Sequence, residues 1–297
     1  MPLPWLEPLQ QQLAQSYSQH RFHHAQLFNG DKGVGKQRLV EQLADGLLCA
    51  SANNLVACGH CKSCLLNQAG THPDKRVVKV DGQTIGVDEI RDITDFINHS
   101  AAQNGNKVVV LEQCHKMTTA AANALLKTLE EPSLHRYLLL TCEQIAQLPA
   151  TILSRCAVHE VKVNIETTTQ WLASLDIPNY SWLGLFSQQP LLVEQWQNEQ
   201  QLESIDTLYK FATEIKDSHN FSALVDILNK DTSLVNVFTL FLTEHLKTQL
   251  VLGMDFFSYQ KAQSAISEFI YNSSHVLGLN MPLAISQLAF SLRESHN

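Results

Sequence analysis

The stretch Gly30-Asp31-Lys32-Gly33-Val34-Gly35-Lys36-Gln37 matches a nucleoside-triphosphate loop at every defining position but the last. In such a loop, G-x-x-x-x-G-K-[ST], glycines let backbone N–H groups wrap the phosphates. The lysine reaches the β/γ oxygens, and the final hydroxyl ligates Mg²⁺. Gly30, Gly35 and Lys36 fit and are the candidate nucleotide-binding residues. Gln37 stands in place of the hydroxyl, and its longer amide does not set a compact oxygen on an octahedral Mg²⁺. The phosphate cradle is expected to persist and the metal seat to be lost. Read alone, the stretch is equally a Gly-rich turn between a strand and a helix.

A second group is Cys49, Cys58, Cys61 and Cys64, spaced C-x8-C-x2-C-x2-C. Two overlapping C-x2-C pairs bend the backbone so that successive thiolates face one centre, and Cys49 completes a tetrahedron from the end of the preceding helix. Four thiolates with no open position imply structural zinc. An iron–sulfur cluster and merely buried thiols are the alternatives, and His60 is a spare donor. Zinc would clip together an insertion too poor in apolar residues to fold by itself. The N-terminus lacks a signal-peptide pattern and no stretch is long enough to span a bilayer, so a cytosolic chain is expected. Seven cysteines in that setting point to metal rather than disulfides.

The third candidate is the exit of an apolar strand, Leu111-Glu112-Gln113. Active P-loop ATPases place there an Asp for Mg²⁺ and often a Glu that polarises the attacking water. Glu112 and Gln113 occupy those places, and Gln113 accepts no proton at neutral pH. Both nucleotide motifs keep their frame and change their catalytic oxygens.

Elements must hold these groups together. Apolar runs predict strands at Ala25–Phe28, Arg76–Val80, Lys107–Leu111, Tyr137–Thr141 and Val158–Val161. Helical spacing predicts helices over residues 5–17, after Lys36 to about Cys49, over Val87–Ile97, and from an N-cap at Thr118 to a stop at Pro132. Strands alternating with helices give an α/β domain with a parallel sheet, and Lys36, Glu112, Gln113 and Thr141 are expected to cluster where the strands exit. His23 and His24, just before the first strand, are expected to serve packing or local hydrogen bonding rather than catalysis. Beyond residue 163 only helical stripes remain, among them Leu202, Leu208, Phe211, Ile215 and then Leu283, Leu288, Leu292. The expected division is an α/β domain over residues 1–163, a small helical domain over 164–203 and an all-helical domain over 204–297, with main loops at 253–258 and 272–280.

Charge follows the same division. Residues 1–163 carry 15 basic and 15 acidic side chains, whereas residues 164–297 carry 6 and 14. An acidic helical half is a poor partner for phosphate backbones, which argues against tight DNA binding by that half alone.

The four-cysteine insertion after a P-loop helix, Ala69-Gly70-Thr71-His72-Pro73-Asp74, Asn123-Ala124-Leu125-Leu126-Lys127-Thr128-Leu129-Glu130-Glu131-Pro132 and Ser154-Arg155-Cys156 together resemble the clamp-loader ATPase family. The match covers residues 21–160. The resemblance implies a AAA+ module with a parallel sheet, a helical lid and a C-terminal helical collar. It also implies a five-subunit ring with delta and the gamma/tau ATPase subunits, which opens the sliding clamp and sets it on primed DNA. Carried onto this chain, the Ser-Arg-Cys arginine is Arg155, a trans-acting finger for the γ-phosphate held by a neighbouring subunit. A guanidinium there neutralises charge on the transferring phosphoryl group. Its structural alternative is an ion pair at the edge of the core. The segment Phe186-Ser187-Gln188-Gln189-Pro190-Leu191 lacks the arginine that active members place in the lid.

The expectation is a non-catalytic subunit that completes a neighbour's active site, with only weak nucleotide binding at Lys36. Two other readings are an active ATPase in which Gln37 and Glu112 still seat Mg²⁺, and a zinc-dependent nucleic-acid binder. The cysteine knuckle holds only Lys62 as a basic residue, which counts against the last.

Overall fold

β-branched and leucine-rich runs alternating with amphipathic helices produce a five-stranded parallel sheet. A computed structural model describes residues 3–80, 84–103, 105–131, 133–215, 220–276 and 278–294. Pro132, expected to stop a helix, lies outside them. The strands are β1 (Ala25–Asn29), β2 (Lys75–Val78), β3 (Lys107–Leu111), β4 (Arg136–Cys142) and β5 (Ala157–Glu160), in the order β2-β3-β4-β1-β5. Leu27, Val108 to Leu111 and Leu138 to Leu140 are buried, as continuous apolar strands covered on both faces must be.

Helices α1 (Glu7–Ser18), α2 (Lys36–Leu48), α3 (Lys62–Gln68), α4 (Val87–Asn98), α5 (Thr119–Glu130), α6 (Ala150–Leu153), α7 (Ile165–Ala173) and α8 (Pro190–Asn198) follow in chain order. Thr118 caps α5, its Oγ1 accepting from Ala121 N at 3.2 Å. Ile90, Ile93 and Ile97 of α4 and Ala121, Leu125 and Leu129 of α5 join Leu27, Val109, Leu138 and Leu140 in one core.

The chain divides into two compact units, Met1–Ile177 with Gly184–Glu194, and Pro178–Leu183 with Gln195–Asn297. The second contains α9 (Leu202–Glu214), α10 (Ser222–Lys230), α11 (Leu234–Val251), α12 (Phe256–His275) and α13 (Met281–Glu294). Its core holds the fully buried Trp182, whose ring lies 5.9 Å from Trp196 and 6.3 Å from Phe241.

The expected strand ends shift by one or two residues, and two readings are corrected. Of the loops expected at 253–258 and 272–280, residues 256–258 and 272–275 are helix, because Asp255 Oδ1 accepts from Ser258 N at 3.0 Å and starts α12, which runs to His275; residue 277 lies outside the described residues. Leu283 is 64% exposed; the buried stripe of α13 is Met281, Ile285, Leu288 and Leu292. Among the described residues no helix is long and apolar enough to cross a membrane.

Candidate functional site

The exit of β1 runs straight into the glycine loop, and α2 starts at Lys36. Gly35 has φ of 100°, a left-handed backbone that favours glycine. A Cβ on Gly30 would meet Val161 O at 2.4 Å, so this position also takes only hydrogen. Lys36 turns inward: its Nζ donates to Gly30 O and Asp31 O, each at 2.7 Å. Burial lowers the pKa of this ammonium, against the opposing pull of Glu143 and Asp31. The loop is backed by its own unit. Trp5 Nε1 donates to Val34 O at 2.8 Å, Leu191 N donates to Gly33 O at 3.1 Å, and Arg38 pairs with Glu194.

Gln37 and Glu112 are engaged with each other and with their neighbours. Gln37 Nε2 donates to Glu112 Oε1 at 2.6 Å and to Glu41 Oε1 at 3.0 Å. Lys79 Nζ lies 3.4 Å from the same Glu112 oxygen. Thr141, buried at the exit of β4, accepts from Gln113 N at 3.0 Å. The expected cluster of Lys36, Glu112, Gln113 and Thr141 thus gathers at the strand exits, with Lys36, Glu112 and Thr141 engaged through their side chains and Gln113 through its backbone N–H. Beside the loop, a cavity of about 390 Å³ is lined by three carboxylates, Asp31, Glu143 and Glu160, with Lys162. Lys162 is held by Glu160 at 2.8 Å. A polyphosphate entering there meets net negative charge.

Arg155 lies at the other end of the sheet. It precedes β5, whose Ala157 is level with Gln26 near the start of β1, while the glycine loop follows the end of β1. A strand rises about 3.3 Å per residue, so the steps from the level of Gln26 to Gly30 put about 13 Å of parallel strand between the two. The guanidinium donates through NH1 to Thr151 O at 3.0 Å and Ser154 Oγ at 3.3 Å, and its NH2 pairs with Glu130 Oε1 at 2.6 Å. Its side chain is 34% exposed. The edge ion pair named above therefore exists, and the sequence reading had missed its partner Glu130.

The four cysteines converge. Their ligand atoms lie within 4.8 Å of one another, with Sγ–Sγ spacings of 3.8 Å for Cys49–Cys61, 3.9 Å for Cys58–Cys64 and 3.5 Å for Cys61–Cys64. A tetrahedron with Zn–S bonds of about 2.3 Å has edges of about 3.8 Å, so the donor set fits zinc in type and size. Backbone donors orient it: Cys58 N and Ser51 N point at Cys49 Sγ at 3.3 and 3.4 Å. His60 is turned away, its Nδ1 2.8 Å from Cys58 O. Cys114, Cys142 and Cys156 belong to the sheet core. His23 is engaged locally, its Nδ1 2.9 Å from Ala25 O, whereas His24 Nε2 lies 3.1 Å from the distant Leu129 O.

Sequence reasoning also missed Lys79 and Glu41. Lys79 follows β2, and Glu41 lies one turn beyond Gln37, a spacing that places Gln37 and Glu41 on one helix face.

A five-stranded parallel sheet with a glycine loop at the exit of β1 and a four-cysteine insertion after α2 defines the AAA+ P-loop class. A solved gamma subunit-related protein of DNA polymerase III from Thermotoga maritima shares the fold at a TM-score of 0.57 and 19% identity, with 99% of this chain and 100% of that one covered. The model of the DNA polymerase III delta subunit family matches residues 5–164, and the chain belongs to that family. It is 44% identical over 173 residues to DNA polymerase III subunit delta' of Haemophilus influenzae, covering 58% of this chain and 53% of the relative. To the Escherichia coli delta' subunit it is 42% identical over 158 residues, covering 52% and 47%. The matched stretch spans about half the length of these relatives.

Proposed function

We propose that this chain is a non-catalytic delta'-type subunit of a DNA polymerase III clamp loader, working in the cytoplasm beside delta and gamma/tau in a heteropentameric ring that places the sliding clamp on primed DNA. Arg155 is the arginine finger it offers to the neighbouring ATPase subunit. The observation that carries the reading is the closed metal seat: Gln37 and Lys79 satisfy Glu112 where an active site holds Mg²⁺. Lys36 spends its donors on loop carbonyls, so ATP binding is weak or absent, and hydrolysis has neither metal ligand nor base. Arg155 is too far from this loop to act on it, so its phosphate belongs to another chain.

Within this reading residues 1–163 are the AAA+ module, 164–203 the lid and 204–297 the collar. Cys49, Cys58, Cys61 and Cys64 hold zinc that pins the insertion after α2. In a loader reconstituted with clamp and primed DNA, rapid-quench measurement of ATP cleavage tests the finger. Once assembly is confirmed, Arg155→Ala is expected to slow cleavage of one bound ATP by about a hundredfold or more. Unchanged cleavage refutes it.

A further inference from the structure

We infer that Glu130 parks Arg155: its carboxylate holds the guanidinium in the unengaged subunit and yields it to an incoming phosphate. The inference rests on the finger reading of Arg155 and specifies how that finger is regulated.

Glu130 is the last residue of α5, and its Oε1 lies 2.6 Å from Arg155 NH2. A carboxylate offers arginine the same paired oxygen acceptors as a phosphate, so the two compete for one guanidinium. A carboxylate in the last turn of a helix faces the negative end of the helix dipole and gains from a cation beside it. Among the described residues Arg155 is the ion-pair partner of Glu130, and the one basic residue in that last turn is Lys127. The other guanidinium nitrogen, NH1, is braced on Thr151 O and Ser154 Oγ from the same short helix and turn. The arginine is thus anchored at one nitrogen and gated at the other. Exposure of 34% for Arg155 and 49% for Glu130 leaves the pair open to a neighbouring chain without repacking the core. Half-exposed pairs are weakly held, so the phosphate of a bound, metal-charged nucleotide outcompetes one carboxylate.

The test is the same rapid-quench assay, run with the wild type, Glu130→Gln, Glu130→Asp, Arg155→Ala and the Glu130→Gln/Arg155→Ala double variant. Glu130→Gln is expected to speed the Arg155-dependent cleavage about two- to fivefold, the scale of one exposed pair. Glu130→Asp keeps the wild-type rate, and the gain vanishes in the Arg155→Ala background. If Arg155→Ala slows cleavage while Glu130→Gln leaves it unchanged or slower, parking is wrong and the finger stands. If Arg155→Ala changes nothing, the finger reading and the parking fall together. Equal Tm values for wild type and Glu130→Gln exclude misfolding as the source of any difference.

Discussion

Gln37 and Glu112, the residues standing where an active P-loop site keeps its metal ligands, are bonded to each other across 2.6 Å. Two departures that look like independent losses in the sequence form one contact in space. The Glu112 carboxylate is satisfied within the chain, by an amide hydrogen of Gln37 and the Lys79 ammonium.

Gln37→Ala removes the amide donor and leaves Glu112, 17% exposed, with Lys79 alone. A hydrogen bond to a charged group contributes about 1.5–3 kcal/mol. The variant is expected to lose about that much stability, read as a lower urea midpoint at an unchanged slope. An unaltered midpoint would mean the contact contributes nothing.

Gln37→Thr restores the hydroxyl of the nucleotide motif, yet Glu112 keeps Lys79, and Asp31, Glu143 and Glu160 still line the adjoining cavity. Calorimetry of the variant with Mg²⁺ and ATP is expected to show no saturable binding. Tight, metal-dependent binding would show that the hydroxyl alone had been missing.

Much of this frame was legible in the sequence because it is local. The glycine loop, the Val-Val-Val-Leu run of β3, the Thr118 cap and the cysteine spacing each report on a few consecutive residues. The pairings Gln37–Glu112 and Arg155–Glu130 span 75 and 25 positions and depend on which strands lie side by side, which no local pattern encodes. In α13 the spacing from Leu283 to Leu288 is five, off the helical period; Met281, Ile285, Leu288 and Leu292, at steps of four, three and four, are the stripe the helix buries. The Asp255 cap is a local signal too, Asp-x-x-Ser, and it starts α12 inside the loop expected at 253–258.

Gly46 sits inside α2, where alanine normally stabilises a helix by up to about 1 kcal/mol. Here a Cβ would fall 1.8 Å from Leu55 O, because the segment between Cys49 and Cys58 crosses the helix at this point. Gly46→Ala is therefore expected to destabilise, by about 2 kcal/mol or more, and to weaken metal retention. A stabilised variant would place that segment elsewhere.

Zinc removal acts through the same segment. Cys61→Ser is expected to lower metal content by elemental analysis and to reduce Tm, with chelation reproducing both effects on the unaltered protein. Metal-free protein with an undiminished Tm would refute the four-thiolate site.

Acid is expected to weaken the fold through two desolvated imidazoles. Desolvation lowers the pKa of His159, whose Nε2 lies 2.6 Å from Gln26 Oε1, and of His72, below the ordinary value of 6.5. Unfolded histidines take up protons near 6.5 while these two resist, so their stabilising contribution is full above that pH and is lost as pH falls through the depressed values. Urea midpoints measured from about pH 8 to pH 5 are expected to decline below about 6.5, less steeply in His159→Gln. Identical slopes for the two proteins would remove His159 from the account.

The separation of Arg155 from the glycine loop by the length of the sheet gives the fold a direction. Units that each reach forward with an arginine and receive at a nucleotide loop join head to tail, the heterologous contact that generates rings and filaments. A unit that reaches forward but receives nothing has no identical neighbour behind it, so it stands only at the terminus of such a series. On the proposed function, that puts a seam in the circle of related folds and gives its firing sites a first and a last member.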